Sequence, residues 1–511
     1  MKFSRPARGA FVAAIAALAL TLTACGGATP SDDAADSGPQ TLRLSQAAPP
    51  SNFQIGAYSG GDATIFLSTY DTIVHKGADG SLEPGIAESW EYDESRTKLT
   101  LSIREGMTFS SGGPVDAAAV AASLEAAKVG ASTQQNFALL SSVEAVDEST
   151  VVVTLSQPDA AFVPSLSSTP GAVGDPELLT SEESKLWPVG SGPYTLEQEE
   201  STVGSKYVLK KNDEHWNADD YPYETVEVQI IQDPSASQNA VLSGQLDYTG
   251  LQSKDSTSQF PEAKFTTGQN LPSTVAALWL VDREGSVVPA LADVRVRQAI
   301  NLALDREAIA KNLNPGTNVP TNQVFSPEGG VYDEELLDKT AYDVEAAKKL
   351  LAEAGYADGF EVAMPSVQGF TTTYESAIQQ SLADIGITVT WESVPFQDFY
   401  AKILGGSYGM FFMFNGFSGS DAQDHNAATN GIFNPFLSAP PEYEELVAAA
   451  NAASEDEQAS AFSAVNEYFV DEAWYAPIST VAGFYAVPKT VDYTPSLQFG
   501  VSVKPYQPAS D

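Results

Sequence analysis

Few residues in this chain carry reactive chemistry, and they do not gather into a catalytic set. The three histidines, His75, His215 and His425, are far apart, and Cys25 is the sole cysteine. Ser95-Arg-Thr-Lys98 has the Ser-x-x-Lys spacing of an acylating nucleophile beside its base. It falls on a hairpin turn, however, and the Ser-Asp-Asn and Lys-Thr-Gly partners are absent. No His-Glu-x-x-His occurs. Val189-Gly-Ser-Gly-Pro-Tyr194 has the glycines of a phosphate loop without the Gly-Lys-Ser/Thr ending. A secreted hydrolase is therefore the remote reading, and neither a cofactor nor a metal site is expected. Two apolar stretches stand out instead. Thr274 to Val281 (TVAALWLV) is an apolar strand carrying Trp279. Met410 to Phe417 (MFFMFNGF) reads as a buried central strand, and its end turns polar and glycine-rich over Asn415, Gly416, Phe417, Ser418, Gly419, Ser420 and Asp421.

The elements around these stretches follow from periodicity. Thr41 to Ser45 reads as a first strand. Leu99, Leu101 and Ile103 alternate with polar residues, the pattern of a half-buried strand. Asp116 stands where an N-cap should, ahead of Val120 and Leu124 at helical spacing. Asp293 caps the next long helical pattern, and Asp343 opens another that ends at Gly355. Ser454-Glu-Asp-Glu457 has the spacing of a capping box. Helices alternate with strands through the second half, which predicts an α/β chain.

Composition narrows the partners. The 511 residues hold 26 Lys plus Arg against 67 Asp plus Glu, a formal charge of −41. That balance disfavours nucleic acid and an anionic membrane surface, both of which need a basic patch. With one cysteine no internal disulfide can form, so stability comes from packing.

Several motifs together resemble one family. They are Gly80 to Trp90, Leu99 to Phe109, Gly113 to Val120, the Gly-Ser-Gly-Pro-Tyr turn, Asn212 to Trp216, and Asp-Val-Arg-Val-Arg-Gln-Ala-Ile from Asp293. They resemble the extracellular solute-binding proteins of family 5, the peptide- and nickel-type receptors of ABC importers. The resemblance implies a two-lobed periplasmic-binding-protein type II fold with an additional inserted domain. It places lobe I in 41–72, 190–275 and 485–511, the inserted domain in 73–189, and lobe III in 276–484. In that family Arg295 and Arg297 fall at a helix start, as structural ion-pair formers. The implied ligand-binding residues are Trp279, Asn415, Gly416, Phe417, Ser418, Ser420 and Asp421. Peptide receptors of the family hold the ligand's ammonium on an Asp at the place of Ser420, so Asp421 is the nearest substitute here. Dipeptide receptors also use a second-lobe Arg for the ligand's carboxylate, whereas this chain has no Arg after Arg306. A peptide is the expected solute, with an oligosaccharide or metal chelate as alternative. The expected partners are an ABC permease and its ATPase, with the receptor a monomer.

The N-terminus reads as an address. Lys2, Arg5 and Arg8 precede an apolar run from Phe11 to Leu22 that is too short to span a bilayer comfortably. Leu22-Thr-Ala-Cys25 resembles a bacterial lipobox, which implies a signal peptide over 1–24 and lipidation of Cys25. Residues 25–40 read as a small, acidic, flexible tether. The expected location is the outer face of the cell membrane, held by acyl chains.

Overall fold

A computed structural model describes residues 41–58, 63–313, 316–497 and 502–510. Cys25, the leader and the tether lie outside these residues.

Strands distant in sequence pair with one another. Thr41–Gln46 runs parallel to Thr225–Ile230, which pairs antiparallel with Lys206–Lys211, followed by Tyr194–Leu196. Beside this sheet, Phe484–Pro488 is held between Thr249–Leu251 and Phe265–Gln269. These strands, called lobe I below, come from three separate segments. A four-stranded antiparallel sheet, in the order Ala87–Tyr92, Lys98–Ile103, Thr150–Leu155, Leu140–Ala145, forms the inserted part. Leu99, Leu101 and Ile103 are buried there. Asp116 caps the helix Ala117–Val129 by accepting from the Ala119 amide at 2.9 Å. Leu42, Phe66, Leu99, Val120 and Val226 belong to one continuous core, so the inserted sheet and lobe I share their interior.

Lobe III centres on the sheet Asn318–Pro320, Tyr475–Val481, Thr274–Leu280, Met410–Gly416. Helices cover both faces, which explains why its strands read as unbroken apolar runs. Val275, Ala277 and Trp279 pack into one core; Ala276, Leu278 and Leu280 pack into the other. Met410–Gly416 is not central as expected. It is the hydrogen-bonding edge, and it is buried because side chains rather than a further strand cover it. Ser454 also departs from expectation, since its hydroxyl bonds the Glu457 carboxylate and caps no amide. Arg295 pairs with Asp293, and Arg297 donates to the Leu291 and Glu472 carbonyls, both structural roles. The chain crosses between lobes I and III at 270–273 and 482–483. The two crossings are tied by the Asn270 amide on the Gly483 carbonyl at 2.8 Å.

Candidate functional site

The inserted part and lobe III meet where the loop after Val74–Lys76 faces the end of Met410–Gly416. The approach needs glycine. Gly80 has φ of 85°, and a Cβ there would come within 3.0 Å of the Gly419 carbonyl. Lys76 bridges the two, donating to the Ser418 carbonyl at 2.8 Å and to Gln423 Oε1 at 3.1 Å. Burial pulls the Lys76 ammonium down to about 8, against the attraction of Asp424.

Between these walls lies a cavity of about 420 Å³, lined by Gly80, Leu82, Gly330, Ser420, Asp421 and Asp424 among others. The helix Asp421–Thr429 starts at its edge, and residues three apart on a helix share a face, so both carboxylates turn the same way. Asp421 Oδ2 accepts the Gly330 amide at 3.1 Å. Asp424 Oδ1 accepts the Ser418 amide at 2.8 Å and the Ser418 hydroxyl at 2.7 Å. The other oxygen of each, Asp421 Oδ1 and Asp424 Oδ2, is buried and has no hydrogen-bond partner. Burial raises the Asp421 carboxyl, and burial together with the Asp421 charge lifts Asp424 to about 7. Two unpartnered acceptors in a cavity suit a donor group carrying positive charge.

The expected site residues divide. Ser418, Ser420 and Asp421 stand at the cavity wall or its bridge. Gly416 ends the edge strand opposite Thr274 and is exposed. Asn415 and Phe417, on either side of it, are buried, and Phe417 packs in the lobe III core. Trp279 corrects the expectation most clearly. It is wholly buried, its Nε1 donates to the Met413 carbonyl at 3.0 Å, and its ring packs on Phe433 and Tyr475. Its strand is covered on both faces from Val275 to Leu280, so Trp279 does not reach the cleft. Sequence reasoning missed Lys76, Asp424 and the Gly329-Gly330 wall. The helical i, i+3 spacing of Asp421 and Asp424 was the available signal.

A cavity of about 280 Å³ between lobe I and the inserted part surrounds Asp71. Asp71 accepts from the Thr72 amide and from Trp216 Nε1, both at 2.8 Å, and pairs with His75 and His215. Burial raises its carboxyl, but the two histidines override that and hold it far below the usual carboxylate range. His425 is buried against Phe469 and bonded to the Tyr443 hydroxyl, and burial drops it to about 4. Among the described residues no group of three or more His, Cys, Asp or Glu is placed to hold a metal ion. Nor is any described helix long and apolar enough to cross a membrane. One Gly-x-Ser-x-Gly sequence occurs, Gly405 to Gly409. It turns from the helix Phe396–Leu404 into a strand, the reverse of a nucleophile elbow, and no histidine bonds Ser407 among the described residues.

Comparison with known proteins agrees with this architecture. The model of bacterial extracellular solute-binding proteins, family 5 Middle, matches residues 81–434. The glutathione-binding protein GsiB of Salmonella paratyphi A is 27% identical over 338 residues, which cover 63% of this chain and 63% of that protein. The match thus spans less than two thirds of that relative's length. The binding protein AgaA of A. tumefaciens R10, solved with agropinic acid, superposes with a TM-score of 0.76 at 24% identity, covering 92% of this chain and 99% of AgaA. DppA of Helicobacter pylori, solved with the peptide STSA, gives 0.76 at 21% identity over 93% and 99%.

Proposed function

From the premise that this chain belongs to the bacterial extracellular solute-binding proteins of family 5, we propose that it is the receptor of an ABC importer. It captures a peptide between lobes I and III and presents it to a membrane permease. The observation that carries the reading is the pair of unpartnered carboxylate oxygens, Asp421 Oδ1 and Asp424 Oδ2, buried in the interlobe cavity. A peptide's α-ammonium supplies the missing donors. The exposed end of the edge strand at Gly416 leaves backbone for strand-like pairing. The relatives' ligands, glutathione, agropinic acid and the peptide STSA, all pertain to small-solute capture. Capture works by closure of the lobes about the crossings at 270–273 and 482–483, with Lys76 as the bridge. Catalysis plays no part in this role. The receptor acts as a lipid-anchored monomer, tethered to the cell membrane through Cys25, with the permease and its ATPase as partners.

Thermal unfolding of the chain against libraries of peptides, oligosaccharides and metal chelates tests the reading, because a ligand stabilises by RT ln(1 + [L]/Kd). Peptides are expected to shift the midpoint. A shift with oligosaccharides alone would overturn the peptide assignment, and turnover of any ligand would overturn the receptor role.

A further inference from the structure

The cavity holding the acidic pair does not stop at Leu82 and Pro164. A second cavity of about 250 Å³ shares Leu82, Pro164, Glu455 and Gln458 as wall and reaches Trp90, Tyr92 and Arg96 on the inserted sheet. Arg96 sits in the turn between Ala87–Tyr92 and Lys98–Ile103 with φ of 52°, the left-handed region that a non-glycine residue occupies only under strain. Its guanidinium lies over the Tyr92 ring, 4.7 Å from the centroid. Arg96 Nε and the Tyr92 hydroxyl are both buried, and neither has a hydrogen-bond partner. The other described arginines are all held. Carboxylates hold Arg43, Arg104, Arg295 and Arg297. Carbonyls hold Arg283 and Arg306. Among the described residues, Arg96 alone has neither kind of partner. The chain's last arginine is Arg306, so no guanidinium comes from the rest of lobe III.

We propose, resting on the receptor reading above, that Arg96 and Tyr92 form the anion-reading subsite of the cleft. They take the carboxylate of an oligopeptide whose ammonium is held by Asp421 and Asp424. A guanidinium presents a planar fork that matches a carboxylate, and the tyrosine hydroxyl adds a further donor. Acceptors at one end of the adjoining cavities and donors at the other select a zwitterion by its two ends. The subsite comes from the inserted part rather than from lobe III, so both parts must close on the solute to complete it. Two acids stand near. Glu455 lies in the shared wall, and Asp159 lies close to Tyr92 and accepts the Ala161 amide at 3.0 Å. Neither is within ion-pair distance of Arg96. The competing arrangement is therefore an Arg96–Glu455 pair that merely ties the lobes, and the test separates the two.

The experiment titrates the full chain with pools of tri- to pentapeptides of randomised sequence, offered as free acids and as C-terminal amides. Apparent affinity is read by calorimetry. Wild type is expected to prefer the acids at least tenfold. Arg96→Gln should abolish that preference. Arg96→Lys should restore part of it, Tyr92→Phe should reduce it, and Glu455→Gln should preserve it. Arg96 lies in a surface turn, and the Tyr92→Phe ring keeps its packing, so at least one variant reads binding on a folded chain. Equal binding of acids and amides by wild type would overturn the subsite while leaving the peptide reading intact. So would a preference that survives Arg96→Gln, or one lost equally in Glu455→Gln. Failure of wild type to bind either pool would overturn the peptide reading and the subsite with it.

Discussion

Replacing Asp424 by Asn should make the ligand-free protein more stable, and the gain should depend on pH. Asp424 is 1% exposed; one oxygen is satisfied by Ser418 and the other by nothing. Burial lifts its carboxyl from 3.8 to about 7. A shift of about three units corresponds to roughly 4 kcal/mol between the protonation states. The sign follows from linkage. The folded pKa lies above the unfolded one, so the folded state holds the extra proton, and this group's stabilising contribution falls as pH rises. The loss runs at about 1.4 kcal/mol per unit between roughly pH 4 and 7 and is complete above about 7. Asn keeps the acceptor for Ser418 and cannot ionise. Urea unfolding at pH 5 and pH 8 is the assay. The variant is expected to exceed wild type by on the order of 3–4 kcal/mol at pH 8 and by about 1–2 kcal/mol at pH 5. It should also lose affinity for a cationic solute. Equal stability at both values, or a variant weaker than wild type at pH 8, would refute the claim that this carboxylate is held desolvated for a ligand.

Three further outcomes are expected. Lys76→Met removes the two bonds that Lys76 makes to Ser418 and Gln423, so the ligand-free chain should open, seen as a larger radius of gyration in solution scattering, with affinity lowered several-fold. Gly329→Ala presses a methyl against Asp421 Oδ1, so peptide affinity should fall at least tenfold by calorimetry while the melting midpoint barely moves. Trp279→Phe deletes the bond to the Met413 carbonyl and part of the packing on Phe433, costing about 1–3 kcal/mol in urea unfolding with the peptide Kd unchanged.

How far the sequence carried these conclusions depends on the kind of signal. Alternation at Leu99 to Ile103 and the cap at Asp116 are local rules, and both elements formed as read. The run Thr274 to Leu280 correctly announced burial, but burial on two faces and burial beside a cleft look alike in sequence. That is why Trp279 was placed in the cleft and sits in the core. The same ambiguity made the edge strand Met410–Gly416 look central. Asp421 was named through the family resemblance, and the structure sets it in the cavity wall. Asp424 shares that wall because a helix, not a strand, begins at Asp421 and sets the spacing to three. Lys76 bonds the Ser418 carbonyl, and Arg96 lines the same cavity as Glu455, at sequence separations that no local pattern reports. The glycine-rich stretch Gly405 to Gly409 shows the opposite hazard. A motif can be complete in letters yet run in the wrong direction through its elements.

The most direct measurement is a crystal structure of the chain with a bound peptide selected from the pools. The peptide's ammonium is expected within hydrogen-bond distance of Asp421 Oδ1 and Asp424 Oδ2, its backbone beside Gly416, and the lobes closed over it. A peptide bound elsewhere, or one whose ammonium faces neither carboxylate, would overturn this assignment of the binding site.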